Sequence, residues 1–331
     1  MKALVYSGPE ALEFRDVPDP VAGPQDDTVR IASVGICGSD MHAYLGHDDR
    51  RPAPLILGHE AAGTVEGGPN DGLRVTINPL VTCGACTACK SGRENVCADR
   101  QIISMPPREG AFAERVAIPR HNLVEVPADV PLEKAALAEP LACGWHAVRL
   151  GLAALGGIPE SALVLGGGAI GLGAALAARA RGVTGIRVVE PHAGRRATLE
   201  RSGMDAAAPE DLEPGTYFDL VIDGVGYVGT RKSASAHVRP GGVIAHVGLG
   251  EAEGGLDVRR LTLQEITFIG TYAYAAQDFR DTAMAVFDGR LGALDWAEMR
   301  PLADGAGAFR DIRAGRADAP KIILCPEGGR T

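Results

Sequence analysis

Aromatic side chains make up only 5% of the 331 residues, and no apolar run approaches the roughly 20 residues that cross a bilayer. Cationic excess is missing as well. Lys and Arg number 33 against 42 Asp and Glu, a net charge of −9, which leaves no basic footprint for nucleic acid or an anionic membrane surface. The first residues, Met1-Lys2-Ala3-Leu4-Val5-Tyr6, run directly into Gly8-Pro9-Glu10. That is too short for the apolar segment of a signal peptide and reads as a first β-strand. A cytoplasmic protein is therefore expected, and its seven Cys are expected as metal-bound or free thiols rather than disulfides. What is abundant is Gly, with 44 residues, beside a 46% hydrophobic fraction. Such a chain can build a large core with many tight strand–turn–helix junctions, over about two domains.

The chain changes rhythm along its length. Up to about residue 147 it is irregular, with Pro- and Gly-broken strands and most of the Cys. From Ser161 onward, apolar runs alternate with Ala-rich helical stretches. Ala162-Leu163-Val164-Leu165 ends in Gly166-Gly167-Gly168. A helix-forming stretch from Ala169 to Arg181 follows, capped by Gly182, and Ile186-Arg187-Val188-Val189 returns to strand character. Further strand-like runs lie at 220–222, 242–247 and 266–269. Strands buried on both faces and separated by helices describe an α/β doubly wound parallel sheet, expected over 148–275. Residues 1–147 and 276–331 are assigned to the other domain, with Lys321-Ile322-Ile323-Leu324 as a returning strand.

Gly166-Gly167-Gly168-Ala169-Ile170-Gly171 fits G-x-G-x-x-G between strand and helix, the arrangement that cradles a dinucleotide pyrophosphate. Gly166, Gly168, Ala169, Ile170 and Gly171 are the candidate cofactor contacts, at a helix N-terminus that favours negative charge. Glu190, roughly twenty residues on, stands where an acidic residue grips the ribose and repels a 2′-phosphate, which favours NAD over NADP. Arg195 and Arg196 nearby are the counter-indication.

Cys83-x2-Cys86-x2-Cys89-x7-Cys97 sets four thiolates around one tetrahedral ion, with no position left for substrate, and so reads as a structural zinc site. The seven-residue last gap, followed by Ala98, differs from the ferredoxin iron–sulfur spacing. Three other segments carry chemistry: Gly35-Ile36-Cys37-Gly38-Ser39-Asp40-Met41-His42, Gly58-His59-Glu60 and Ala138-Glu139-Pro140-Leu141. One thiolate, one imidazole and one or two carboxylates suit a zinc that keeps a position open. Taken singly, Cys37 also reads as a small buried hydrophobe, His59 as a loop residue and Glu139 as a helix cap.

Together and in this order, these segments resemble the zinc-containing medium-chain dehydrogenase family over nearly the whole chain. Within it, Ala138-Glu139-Pro140-Leu141-Ala142-Cys143-Gly144-Trp145-His146-Ala147 is most similar to the polyol (sorbitol) and 2,3-butanediol dehydrogenases. The resemblance implies a GroES-like β-rich catalytic domain beside the Rossmann domain. It implies one catalytic and one structural zinc, a small alcohol or polyol substrate, and a homodimer or homotetramer. It assigns Cys37 and His59 as catalytic-zinc ligands, with Glu60 and Glu139 completing the shell directly or through water. By the same resemblance, Ser39 takes the alcohol proton and passes it through the cofactor ribose and His42 to solvent. Hydride goes to the nicotinamide and a ketone results. Glu139 stands where liver-type alcohol dehydrogenases carry Cys, which points to secondary alcohols of polyols or vicinal diols. A threonine-type dehydrogenase and a non-catalytic zinc- and nucleotide-binding protein are the other readings. The pattern departs from the family at Pro69 and at Gly72-Leu73-Arg74-Val75, in an expected β-hairpin. Tyr272 and Tyr274 are expected either at the substrate cleft or as packed aromatics.

Overall fold

The strand Ser161–Leu165 forms where four consecutive apolar residues leave no solvent face, and Ala162 to Val164 are fully buried. It lies inside a six-stranded sheet. The spatial order is Asp205–Ala207, Gly185–Val189, Ser161–Leu165, Phe218–Asp223, Val238–His246, Thr267–Gly270, every neighbouring pair parallel. Numbered along the chain, this is the 3-2-1-4-5-6 order of a dinucleotide-binding fold, whose switch point lies beside Ser161–Leu165. The computed structural model describes residues 1–326, and these divide into two units. The parallel sheet belongs to the second, Pro140–Tyr274 with Gly289–Trp296.

The division falls between Glu139 and Pro140, inside the helix Ala138–Leu155, rather than at 147/148. Packing explains most of the helix's allegiance. A Cβ at Gly144 would collide with the backbone at Ala174 in the helix Ala169–Ala180, so the two helices lie backbone to backbone. Gly289–Trp296 also joins the second unit instead of the first. Tyr274 is fully buried, so it is a packed aromatic.

In the first unit, the strand Asp26–Gly35 pairs antiparallel with Glu60–Glu66 and with Lys321–Cys325, and Arg115–Pro119 pairs with its first half. Leu123–Glu125 and Arg74–Ile77 extend this sheet on one side and Ala297–Pro301 on the other. The chain between Glu66 and Arg74 is a hairpin connection, with Gly67, Gly68 and Gly72 at positive φ. Pro69 therefore sits in a turn, away from the ligands. The few aromatics are concentrated: Phe309 packs 5.1 Å from Tyr44 and edge-on to Phe112 at 5.9 Å. Phe112 and Phe309 are fully buried, worth about 2–3 kcal/mol each. Among the described residues, no helix is long and apolar enough to cross a membrane.

Candidate active site

Gly58 adopts φ +90 against the Phe112 ring, where a side chain would clash. This bend, just before the strand Glu60–Glu66, lets adjacent His59 and Glu60 serve one point. Cys37 reaches the same point from the N-cap of the helix Gly38–Tyr44. Ligand atoms of Cys37, His59 and Glu60 all lie within 4.8 Å of one another. Glu139 is buried at the start of its helix but is not part of that trio.

Asp40, fully buried, organises the trio. One carboxylate oxygen accepts the Cys37 N–H at 3.0 Å; the other accepts the Gly58 N–H at 3.2 Å and lies 3.4 Å from His59 Nδ1. Ser104 Oγ is also 3.3 Å from Nδ1, so Nε2 is the ring nitrogen left for an ion. Burial alone would favour neutral imidazole, yet the Asp40 carboxylate and Cys37 outweigh it and hold the His59 pKa well above the ordinary value. The pocket thus prefers a positive charge at this point, and a metal ion supplies one.

Glu60 tests the fit further. Its Oε1 accepts a 2.6 Å bond from the Lys321 ammonium, whose other bond, at 2.8 Å, goes to the Ile36 carbonyl. Its Oε2 is buried without a hydrogen-bond partner, an expensive state for a carboxylate unless a cation completes it. Gly35 makes room for this carboxylate. It is paired with Glu60 in the sheet, and a Cβ there would strike Oε2. Burial drives Lys321 toward neutrality, but Glu60 and Cys37 prevail and raise its pKa.

Ser39 is half-buried and His42, three residues on along the same short helix, is exposed. In the cysteine lobe, Cys83–Cys97, Cys86–Cys89 and Cys83–Cys89 sulfurs are 3.5, 3.5 and 3.9 Å apart. Four sulfurs about 2.3 Å from a tetrahedral zinc are about 3.8 Å apart, so this quartet fits the ion. The Ala85 and Cys86 N–H groups lower the Cys83 pKa to about 6, favouring its thiolate, while burial and the neighbouring thiols push Cys89 up to about 12, so the metal-free lobe does not hold four thiolates.

In the second unit, Gly166 takes φ +97, and a Cβ at Gly171 would collide with the Gly166 carbonyl. At Gly168, the N-cap of Ala169–Ala180, a Cβ would meet nothing, so the turn opens outward as a pyrophosphate cradle must. Ala169 and Ile170 form the first turn. Glu190 Oε2 accepts the Gly167 N–H at 2.8 Å and Oε1 the His192 N–H at 2.8 Å, which pins the carboxylate beside the Gly turn. Arg195 is partly buried and its Nε has no partner, while Arg196 donates to the Glu190 and Pro191 carbonyls.

Sequence reasoning missed the work of Asp40, Ser104 and Lys321. Asp40 had a signal, because an acid three residues after an N-cap can close a capping box. Ser104 and Lys321 had none, since only the folded sheet brings them to the site.

The alcohol dehydrogenase GroES-like domain family matches residues 23–128, and the zinc-binding dehydrogenase family matches residues 169–288. L-galactonate-5-dehydrogenase of Escherichia coli (strain K12) is 33% identical over 88% of this chain and 89% of its own length. Sorbitol dehydrogenase of Arabidopsis thaliana is 33% identical over 77% and 76%. The solved structure of an alcohol dehydrogenase from Thermus sp. ATN1 superposes with a TM-score of 0.88 at 25% identity, over 99% of this chain and all of that one. With both family models matched and relatives at 33% identity over most of its length, the chain belongs to the zinc-containing medium-chain dehydrogenase family and is a zinc-dependent alcohol dehydrogenase using a nicotinamide cofactor.

Proposed function

We propose that the chain oxidises a secondary alcohol of a polyol, sugar alcohol or vicinal diol to a ketone, with NAD as hydride acceptor. The observation that carries this reading is the convergence of Cys37, His59 and Glu60 on one point, with one Glu60 carboxylate oxygen, Oε2, buried and partnerless. The names of its relatives, a sorbitol dehydrogenase and an L-galactonate-5-dehydrogenase, support this substrate class.

Zinc at Cys37, His59 and Glu60 supplies Lewis acidity that lowers the pKa of an alcohol hydroxyl. Ser39 receives the hydroxyl proton, and exposed His42 delivers it to solvent. Bound NAD would supply the hydride acceptor, so that the alcohol gives up its carbinol hydrogen with the bonding electron pair and its hydroxyl proton through Ser39 and His42, and leaves as the ketone. Glu139 lies outside the trio, which favours Glu60 as the protein carboxylate at the ion. A second zinc at Cys83, Cys86, Cys89 and Cys97 holds the lobe together and takes no part in turnover.

Glu190 supports NAD over NADP, since its fixed carboxylate repels a 2′-phosphate. Arg196 is committed to backbone carbonyls instead of standing free for that phosphate. The edge strand Thr267–Gly270 exposes Thr267 and 38% of Phe268 at the end of the sheet, which supports a homo-oligomer joined there. A cytoplasmic location suits four reduced thiols.

NADH formation across sorbitol, xylitol, the 2,3-butanediol stereoisomers, threonine and simple alcohols tests the substrate class. Turnover concentrated on one polyol or diol supports it. Turnover of threonine alone would move the assignment to the amino-acid reading.

A further inference from the structure

Arg51 lies in the loop after the helix Gly38–Tyr44, outside every motif of the sequence, and is 3% exposed. A buried guanidinium persists only where its donors are matched. Nη1 donates to Asp48 Oδ2 at 2.7 Å and to the Ser39 carbonyl at 3.3 Å. Nη2 makes a long contact of 3.5 Å to Ser39 Oγ, and Nε donates to the Ser104 carbonyl at 3.0 Å. Ser104 is a fully buried non-glycine residue at φ +75, a conformation that neighbours must enforce, and its hydroxyl faces His59 Nδ1 at 3.3 Å.

From this geometry we infer that Arg51 is a positioning residue that locks the proton-accepting Ser39 in register with the metal-facing His59, through one rigid fork. The inference rests on the proposed roles of Ser39 and His59. A hydroxyl has one donor and two acceptor positions. With one lone pair of Ser39 Oγ turned to the guanidinium, the other is left for the substrate hydroxyl, and the O–H points onward along the relay. The Nε bond does the equivalent for the metal side, holding Ser104 in the strained conformation that aims its hydroxyl at His59. Lysine cannot replace this arrangement, because a single ammonium on a flexible stem has no planar fork to span two carbonyls.

The test compares wild type, Arg51→Lys, Ser39→Ala and the double variant as zinc-loaded enzymes, on sorbitol or 2,3-butanediol, whichever turns over faster. Arg51→Lys keeps the charge facing Asp48. It is expected to lower kcat by about 10–100-fold, leave KM for NAD within about twofold, and enlarge the solvent deuterium isotope effect. Competition with a chromophoric chelator, which needs no turnover, should show the more labile of the two zincs released about tenfold more readily. In the Ser39→Ala background, Arg51→Lys should add little further loss of turnover. Asp48→Asn loosens the same guanidinium from its other side and serves if Arg51→Lys does not fold, with the same directions expected. Wild-type kcat, isotope effect and zinc release in Arg51→Lys, beside a crippled Ser39→Ala, would overturn the inference alone. So would full additivity of the two substitutions. A fully active Ser39→Ala would overturn the proton-relay reading, and this inference with it.

Discussion

Lys321 donates a 2.6 Å bond to Glu60 across 261 residues of chain, and neither side chain is more than 4% exposed. The strand Asp26–Gly35 runs between the two strands that carry them, and the missing side chain of Gly35 opens the passage. Removing the cation while leaving the carboxylate buried should be severe. Lys321→Met is expected to destabilise the protein by about 3–5 kcal/mol in denaturant unfolding, while Lys321→Arg recovers much of the loss. Stability unchanged in Lys321→Met would show that the pair contributes nothing in solution.

Glu190 is the second test. It accepts from Gly167 and His192 and stands beside the cofactor turn. Glu190→Ala should raise KM for NAD by about tenfold, about 1.4 kcal/mol of binding, with a smaller change in kcat and a higher NADP-to-NAD activity ratio. Steady-state kinetics with both cofactors reads the outcome, and an unchanged KM for NAD would remove Glu190 from the site.

Asp223 gives a pH-dependent expectation away from the metal. It is fully buried at the carboxyl end of its strand, accepting from Val225, Gly226 and Thr230, with His246 Nδ1 at 3.2 Å. Burial pushes its pKa upward, but the His246 contact and the backbone donors prevail, so the folded value lies below 3.8. A depressed carboxyl pKa stabilises the fold above the ordinary value and is lost as pH falls through the folded one. Asp223→Asn should therefore cost about 2 kcal/mol near neutrality, with the gap to wild type closing below about pH 4. Unfolding curves from pH 3 to 7 check this; a gap independent of pH contradicts it.

The parts legible in the sequence were those whose signal is local. Leu163-Val164-Leu165 followed by Gly166-Gly167-Gly168 specifies strand, turn and helix within a dozen residues, and helix Ala169–Ala180 forms where its Ala-rich run lies. The Cys83–Cys97 quartet closes within one loop, so spacing alone suffices. Convergence of Cys37 with His59 and Glu60 depends on strand pairing, which no spacing encodes, and it was reached only through family resemblance. Lys321 and Arg51 show the limit more sharply. Each acts through a carbonyl as well as a side chain, and carbonyls leave no trace in residue identity. The helix Ala138–Leu155 runs across the division between the two units without a break in composition, so composition does not mark that division.

The central claim is that alcohol oxidation depends on a zinc at Cys37, His59 and Glu60, and metal removal tests it most directly. Dialysis against a chelator strong enough to strip the open site, followed by stepwise return of zinc, should abolish NADH formation and then restore it in proportion to one equivalent per chain, with the four-cysteine zinc retained throughout. Full activity in protein shown to hold zinc only at the cysteine lobe would contradict the account.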